Sequence, residues 1–267
     1  MSRSVACIIA RTVSTRLPLK VLRDVGNGQS MLDFLIGRLK GVAELDAVYL
    51  CTSREPTDDI LEDVASRNQI PIYRGSALEV IERMLAVSRM EEAGIVLRVT
   101  GDNPLTSVEY IGEQIRFLEE KSLDYVRLTG VPVGATAEVI RTEALRRCSE
   151  MMDPAVSEYL LLYLFEPAHF RCGVMEVLEG DYSEYSLTVD MPEDLVRTRE
   201  IIRNVNSDYR LKEIVEYCRR YEVSLPAVKI AAGDTIKLPY DKRISFDEFK
   251  RDMQRRIQQS EGAVLYA

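Results

Sequence analysis

Short apolar runs alternate with amphipathic stretches of helical period through the first 120 residues, and that alternation leaves few folds open. Val5–Ala10, Ala47–Cys51, Ile70–Tyr73 and Ile95–Val99 read as strands. Between them, Ser30 is placed to cap a helix carrying Met31, Leu32, Leu35 and Leu39 on one side. A second helix is expected from Thr57 with Ile60, Leu61 and Val64 facing inward, and a third is marked by Leu78, Ile81 and Leu85. Ser107 is placed to cap a fourth, with Ile111, Ile115 and Leu118 on its apolar face. Strands alternating with helices of this length predict an α/β fold with a parallel, doubly wound sheet. Ligands in such sheets lie at the carboxyl ends of the strands.

The first strand ends in Arg11-Thr12-Val13-Ser14-Thr15-Arg16-Leu17-Pro18-Leu19-Lys20. Three cations at the end of a core strand need a polyanion or a paired network, because an unpaired charge is costly to bury. No Gly-rich Walker pattern is present, so an anion would be held by Arg and Lys side chains together with backbone N–H groups. A nucleoside triphosphate is the natural candidate. A second signal is Arg98-Val99-Thr100-Gly101-Asp102-Asn103-Pro104-Leu105, where a strand breaks at Gly-Asp and exposes one carboxylate. A hard divalent cation bridging nucleotide phosphates needs only one or two such carboxylates, so Asp102 fits a Mg²⁺ ligand, or alternatively an Asx-type turn. A third is Val189-Asp190-Met191-Pro192-Glu193-Asp194, where a strand read over Ser186–Val189 gives way to a helix. Taken from the residues, Asp190 is either a helix cap or a second acidic ligand.

The formal net charge of −8 argues against a broad nucleic-acid surface, though not against a local basic pocket. The single histidine, His169, and five scattered cysteines make a zinc site, a disulfide framework or a histidine-driven nucleophile unattractive. No apolar run approaches the roughly 18 residues of a membrane span, and the N-terminus lacks a secretory pattern, so the cytoplasm is the expected compartment. The rhythm of the chain changes at about Ala231. From there Lys237-Leu238-Pro239-Tyr240-Asp241-Lys242-Arg243 precedes a basic helix opened by Ser245-x-x-Glu248.

The Arg-x-x-Ser-x-Arg-Leu-Pro-x-Lys pattern, with Arg98–Leu105 and Val189–Asp194, resembles the signatures of the cytidylyltransferases that activate acidic sugars. Those are the CMP-Kdo and CMP-sialate synthetases and, closest in layout, the spore-coat polysaccharide type. The resemblance covers roughly residues 5 to 220. It implies a mainly parallel mixed sheet, nucleotide-diphosphosugar transferase-like and Rossmann-like, with helices on both faces and a smaller acceptor-side lobe. Residues 1–230 would form the nucleotidyltransferase domain and 231–267 a C-terminal extension. The implied nucleotide contacts are Ala10, Arg11, Ser14, Thr15, Arg16, Lys20, Arg74, Thr100 and Gly101. Asp102 and Asp190 would be the Mg²⁺ ligands, Arg11, Arg16, Lys20 and Asp102 the catalytic residues, and Glu138 and Glu158 the acceptor contacts. The implied reaction is transfer of CMP from CTP to a hydroxyl of an acidic sugar or related acceptor in surface polysaccharide or glycoconjugate biosynthesis, with no nucleic-acid or membrane partner and with homodimers common. The chain departs from the pattern at Val13 and Leu19, where glycine is usual, and at Thr136 and Ser157. Those departures keep a non-catalytic nucleotide-binding protein as an alternative. A glycosyltransferase using a nucleotide sugar is disfavoured by the lack of an Asp-x-Asp, and a dinucleotide enzyme by the lack of a Gly-x-Gly-x-x-Gly.

Overall fold

The computed structural model describes residues 2–26, 28–230 and 233–266. Strand β1 (Ser4–Ile9) is followed by the cationic loop and a small hairpin, β2 (Asp24–Gly26) and β3 (Gln29–Ser30), that leads into helix α1 (Met31–Lys40). Then come β4 (Ala47–Ser53), α2 (Ile60–Arg67), β5 (Ile72–Gly75), α3 (Val80–Met90), β6 (Ile95–Thr100) and α4 (Ile111–Glu120). The second half contains β7 (Tyr125–Thr129), β8 (Glu138–Arg141), α5 (Thr142–Met151), α6 (Leu160–Leu164), β9 (Cys172–Glu176), α7 (Pro192–Asn204) and α8 (Leu211–Arg220). The tail adds the hairpin β10 (Thr235–Lys237) and β11 (Arg243–Ser245), then α9 (Phe246–Gln258) and β12 (Glu261–Val264). Ala231, where the sequence reading starts the extension, lies outside the described residues.

Among the described residues eight strands form one sheet, in the order β12-β9-β7-β8-β6-β1-β4-β5. Every neighbouring pair is parallel except those made by β8, which runs antiparallel to both β6 and β7. The α/β expectation of a mainly parallel mixed sheet is therefore met. Strands without a polar face follow from burial on both sides. Ala6 and Ile8 of β1 enter one core layer with Leu32, Leu35 and Leu39 of α1, whereas Val5 and Cys7 enter the other with Ile81 and Met84 of α3. The order reverses at β1, with β4 and β5 on one side and β6 on the other, which puts the switch point of the sheet at the carboxyl ends of β1 and β6.

Several local expectations change. Helix α2 follows a 3₁₀ turn over Pro56–Asp58, and Ile60 is exposed because Leu61, Val64 and Ala65 take the inner face. Leu78 is exposed ahead of α3. Ser107 does not cap α4, which starts four residues later; its hydroxyl donates to Glu109 at 2.6 Å. Ser186–Val189 is not a strand, Ser186 making only an isolated bridge to Val133. Ser30 does cap α1, in a reciprocal box with Asp33. All five cysteines are free and buried, and burial pushes the thiols of Cys148, Cys172 and Cys218 up to about 12. Among the described residues no helix is long and apolar enough to cross a membrane.

The tail is built onto the sheet. β12 extends it beside β9, and the buried Arg256 of α9 donates to the carbonyls of Leu162 (2.9 Å) and Phe165 (2.6 Å) at the end of α6. Leu160, Leu164 and Phe165 are thereby packed inside the chain.

Candidate active site

The loop after β1 is fixed at both ends. Ala10 N–H donates to the Cys51 carbonyl at 3.2 Å, continuing the β1–β4 ladder. Thr12 then donates from its N–H and its hydroxyl to Asp58, each at 2.7 Å. Asp58 is buried and also accepts from the hydroxyls of Thr52 (3.0 Å) and Ser53 (2.5 Å). Burial pushes this carboxyl up, but the bonds from Ser53, Thr12 and Thr52 outweigh that and hold it below its ordinary range, so it stays an anion. The loop closes through Leu19 N–H to the Thr12 carbonyl (3.3 Å), and Leu19 sits in the left-handed region at φ 55°. A 3₁₀ turn over Lys20–Leu22 follows and turns Lys20 inward.

The Lys20 ammonium donates to Asp102 and to Asp190, 2.7 Å from an oxygen of each, and Arg16 pairs with the same Asp190 oxygen at 3.0 Å. Burial pulls the Lys20 pKa down, but the charges of Asp102 and Asp190 prevail and raise it, so Lys20 stays protonated. Residues 82 and 170 positions apart in sequence thus meet at one atom. The Asp102 turn is tied to the Asp190 segment by Val189 N–H donating to the Asp102 carbonyl (2.9 Å). Asp190 itself is not the cap of α7. Its own N–H and that of Met191 both donate to Asp194, which is clamped in turn by the fully buried Arg197. Arg197 also donates to the Thr188 carbonyl at 2.5 Å, holding the extended segment so that the Asp190 carboxylate is left for Lys20.

A cavity of about 650 Å³ opens over this cluster. Ala10, Arg11, Ser14, Thr15, Arg16, Lys20, Thr100, Asp102, Asp190 and Glu158 line it, so most of the residues singled out in the sequence converge. Arg11 reaches the Ala77 carbonyl (3.2 Å) and faces Glu158 at 3.7 Å. Gly101 lies against the floor: a Cβ there would come within 2.9 Å of the Ala10 Cβ, so its role is close packing of β6 on β1. Arg74 is not brought to the cavity. Its guanidinium is spent on Asp59 (2.6 Å), Glu62 (2.5 Å) and the Ser53 carbonyl (2.9 Å). Glu138 lines not this cavity but a neighbouring one on the other side of Arg98, with which it is paired, and it accepts from the Tyr125 hydroxyl at 2.7 Å.

The arginine that the segment does contribute is Arg83. It is fully buried and lines the cavity. One nitrogen donates to the Cys51 carbonyl (3.2 Å), whereas Nε and Nη2 have no hydrogen-bond partner among the described residues. Gly75 makes room for it, since a Cβ there would lie 2.6 Å from the Arg83 Cγ. A buried cation with orphaned donors is poised for an acceptor atom of a ligand. In the sequence it closes the same stretch, Arg74-Gly75-Ser76 followed by Val80, Ile81 and Arg83, that resembles the family's base-side segment, and nothing local says that Arg83 rather than Arg74 turns toward the cavity. Lys237 of β10 also lines the cavity, so the tail contributes a cation to it.

The donor set fits Mg²⁺. Asp102 and Asp190 each present an oxygen to a single cation, here the ammonium of Lys20. Among the described residues no group of three or more His, Cys, Asp or Glu forms a closed cage. Two carboxylates with room for phosphate oxygens and water match the way Mg²⁺ is held beside nucleotides.

Comparison with known proteins identifies the family. The family model described as cytidylyltransferase matches residues 5–160. The spore coat polysaccharide biosynthesis protein SpsF of Bacillus subtilis is 32% identical over 195 residues, 70% of this chain and 81% of that one. An uncharacterized protein of Methanocaldococcus jannaschii is 29% identical over 219 residues, 80% of this chain and 89% of its own. In three dimensions, a cytidylyltransferase from Leptospira borgpetersenii superposes with a TM-score of 0.79 at 24% identity, over 86% of this chain and all of that one, which speaks for the fold.

Proposed function

The chain belongs to the cytidylyltransferase family, and on that premise we propose that it transfers CMP from CTP to a hydroxyl of an acidic sugar or related acceptor, with Mg²⁺, in the making of a surface polysaccharide or glycoconjugate. The observation that carries the reading is the meeting of Lys20 with Asp102 and Asp190 at 2.7 Å under the cationic loop. Lys20 pairs with both aspartates and Arg16 with Asp190; on binding a nucleotide they exchange carboxylate for phosphate oxygens. Arg11, Arg16 and Lys20 then hold the β- and γ-phosphates in charge-assisted bonds. Thr12, locked on Asp58, keeps the loop backbone in place for that grip. Arg83 supplies buried donors on the α3 side of the cavity.

Mg²⁺ held by Asp102 and Asp190 would supply charge neutralisation at the α-phosphate. The acceptor oxygen forms a bond to the α-phosphorus while the bond from that phosphorus to the bridging β-oxygen breaks. Pyrophosphate leaves with Arg16 and Lys20 opposing its charge, and the hydroxyl proton passes to water. Such chemistry is mostly positioning and charge stabilisation, so it needs no histidine. His169 is exposed and is not among the residues lining the cavity.

The test is pyrophosphate release from CTP with Mg²⁺ and a panel of acidic sugars. Wild-type protein is expected to turn over with at least one of them, and Asp102→Ala to lose about 100-fold or more in kcat. CTP binding without release on any acceptor would favour the non-catalytic alternative, and unchanged turnover in Asp102→Ala would remove the assignment of that residue.

A further inference from the structure

A second cavity, of about 560 Å³, lies on the other side of Arg98 and Thr100, which line both. It sits at the carboxyl ends of β7 and β9 and is closed by the tail. Phe249, Met253 and Ile257 of α9 face Leu128, Leu161 and Phe165 across it. The end beside the first cavity is polar. Asn103 Oδ1 and Arg98 Nε are buried there without a hydrogen-bond partner among the described residues.

The charged groups on the wall are unequally satisfied. Arg98 is paired with Glu138. Lys250 is shared by Asp181 (3.4 Å) and Glu184 (3.3 Å). Glu176 accepts from the Tyr266 hydroxyl at 3.1 Å. Arg127 has no carboxylate among the described residues. Its Nε donates to the Leu128 carbonyl (3.3 Å) and its guanidinium lies 5.4 Å from the centre of the Phe165 ring, which leaves both terminal nitrogens for a ligand.

Resting on the reading that the nucleotide occupies the first cavity, we propose that the second receives the non-reacting part of the acceptor, and that this part is amphipathic, with an anionic group at Arg127 and an apolar substituent of several carbons against Phe249 and Met253. The shared wall at Arg98 and Thr100 places the acceptor's hydroxyl end beside Asp102. The tail thereby selects the acceptor: a small, wholly polar sugar acid leaves the α9 wall uncovered, whereas an acyl- or alkyl-bearing hydroxy acid fills it. Removal of that apolar surface from water is the driving term.

The test is calorimetric titration of the full-length protein, first with CTP and Mg²⁺ and then, in their presence, with acetate, butyrate, octanoate and octanol as probes. Octanoate is expected to bind at least about thirtyfold more tightly than butyrate, the direction set by the methylenes buried, and more tightly than octanol. Arg127→Gln should erase the difference between octanoate and octanol. Phe249→Ala should reduce the gain with chain length. Gln254→Trp, at an exposed position on the rim, should block octanoate in a protein whose thermal unfolding shows it folded. Absence of chain-length dependence in the wild-type protein, or octanoate binding unaffected in a folded Gln254→Trp, would overturn the proposal while leaving CTP binding intact. Failure of CTP to bind would instead strike the reading of the first cavity, and the probe series run on the protein alone still decides the second.

Discussion

Leu19 stands where the resembled signature has glycine, and the backbone shows what a leucine costs there. Its φ of 55° belongs to the region where glycine is at ease, and its side chain is 47% exposed, so packing offsets only part of the strain. Leu19→Gly is expected to leave stability unchanged or raise it by up to about 1 kcal/mol, the relief being partly cancelled by glycine's greater freedom in the unfolded chain. Urea unfolding measures this; a loss above about 1 kcal/mol would mean that the Leu19 side chain makes contacts of value. Val13, the other departure, is 64% exposed and has no positive φ, so it demands no such relief. Both positions could be read from the motif. What could not be read was the exchange of Arg74 for Arg83. Both arginines stand in one ten-residue stretch, and only the path of β5 into α3 decides which one turns toward the cavity.

At the level of elements, positions with a periodic signal were legible and positions decided by hydrogen bonding were not. The apolar faces of α1 and α4 and the strands β1, β4 and β6 follow from periodicity and continuous burial. Ser186–Val189 carries a strand's composition but is held extended by Arg197 and by the Asp102 turn, a tertiary arrangement that no local pattern encodes. The capping box of α1 was legible at Ser30 and has a measurable consequence at Asp33. Burial pushes that carboxyl up, but bonds from Arg67, Ser30 and Asn68 bring it down to about 2. A carboxyl with a depressed folded pKa stabilises above its unfolded value of about 3.9, and that contribution fades as pH falls toward about 2. Asp33→Asn is therefore expected to cost about 1–2 kcal/mol at pH 7, the charge share reduced by solvent screening, and to flatten the loss of stability between about pH 4 and pH 2. Unfolding curves across that range test it, and identical acid limbs in the two proteins would refute it.

Over the whole molecule, alternation of strands and helices was enough to predict the parallel sheet, and the motifs at the strand ends were enough to point to the cavity they line. The tail was the hidden part. The side of α9 that bears Met253 and Arg256 closes the second core layer, and β12 completes the sheet edge, neither of which a local pattern announces. Arg256→Met is expected to destabilise the entire domain by about 2–3 kcal/mol, because the carbonyls of Leu162 and Phe165 lose their buried donor. A single, cooperative shift in thermal unfolding would show this, whereas early loss of the tail with an unchanged main transition would show that the tail is energetically separate.

In the function proposed above, the cationic loop and two distant aspartates share one triphosphate–Mg²⁺ pocket. Calorimetric titration of CTP with and without Mg²⁺, in the wild-type protein and in Asp102→Asn and Asp190→Asn, tests it most directly. Mg²⁺ is expected to tighten CTP binding at least about tenfold in the wild-type protein, and either substitution to remove most of that gain, since each takes away one of the two proposed anionic ligands. Equal dependence on Mg²⁺ in all three proteins would contradict it.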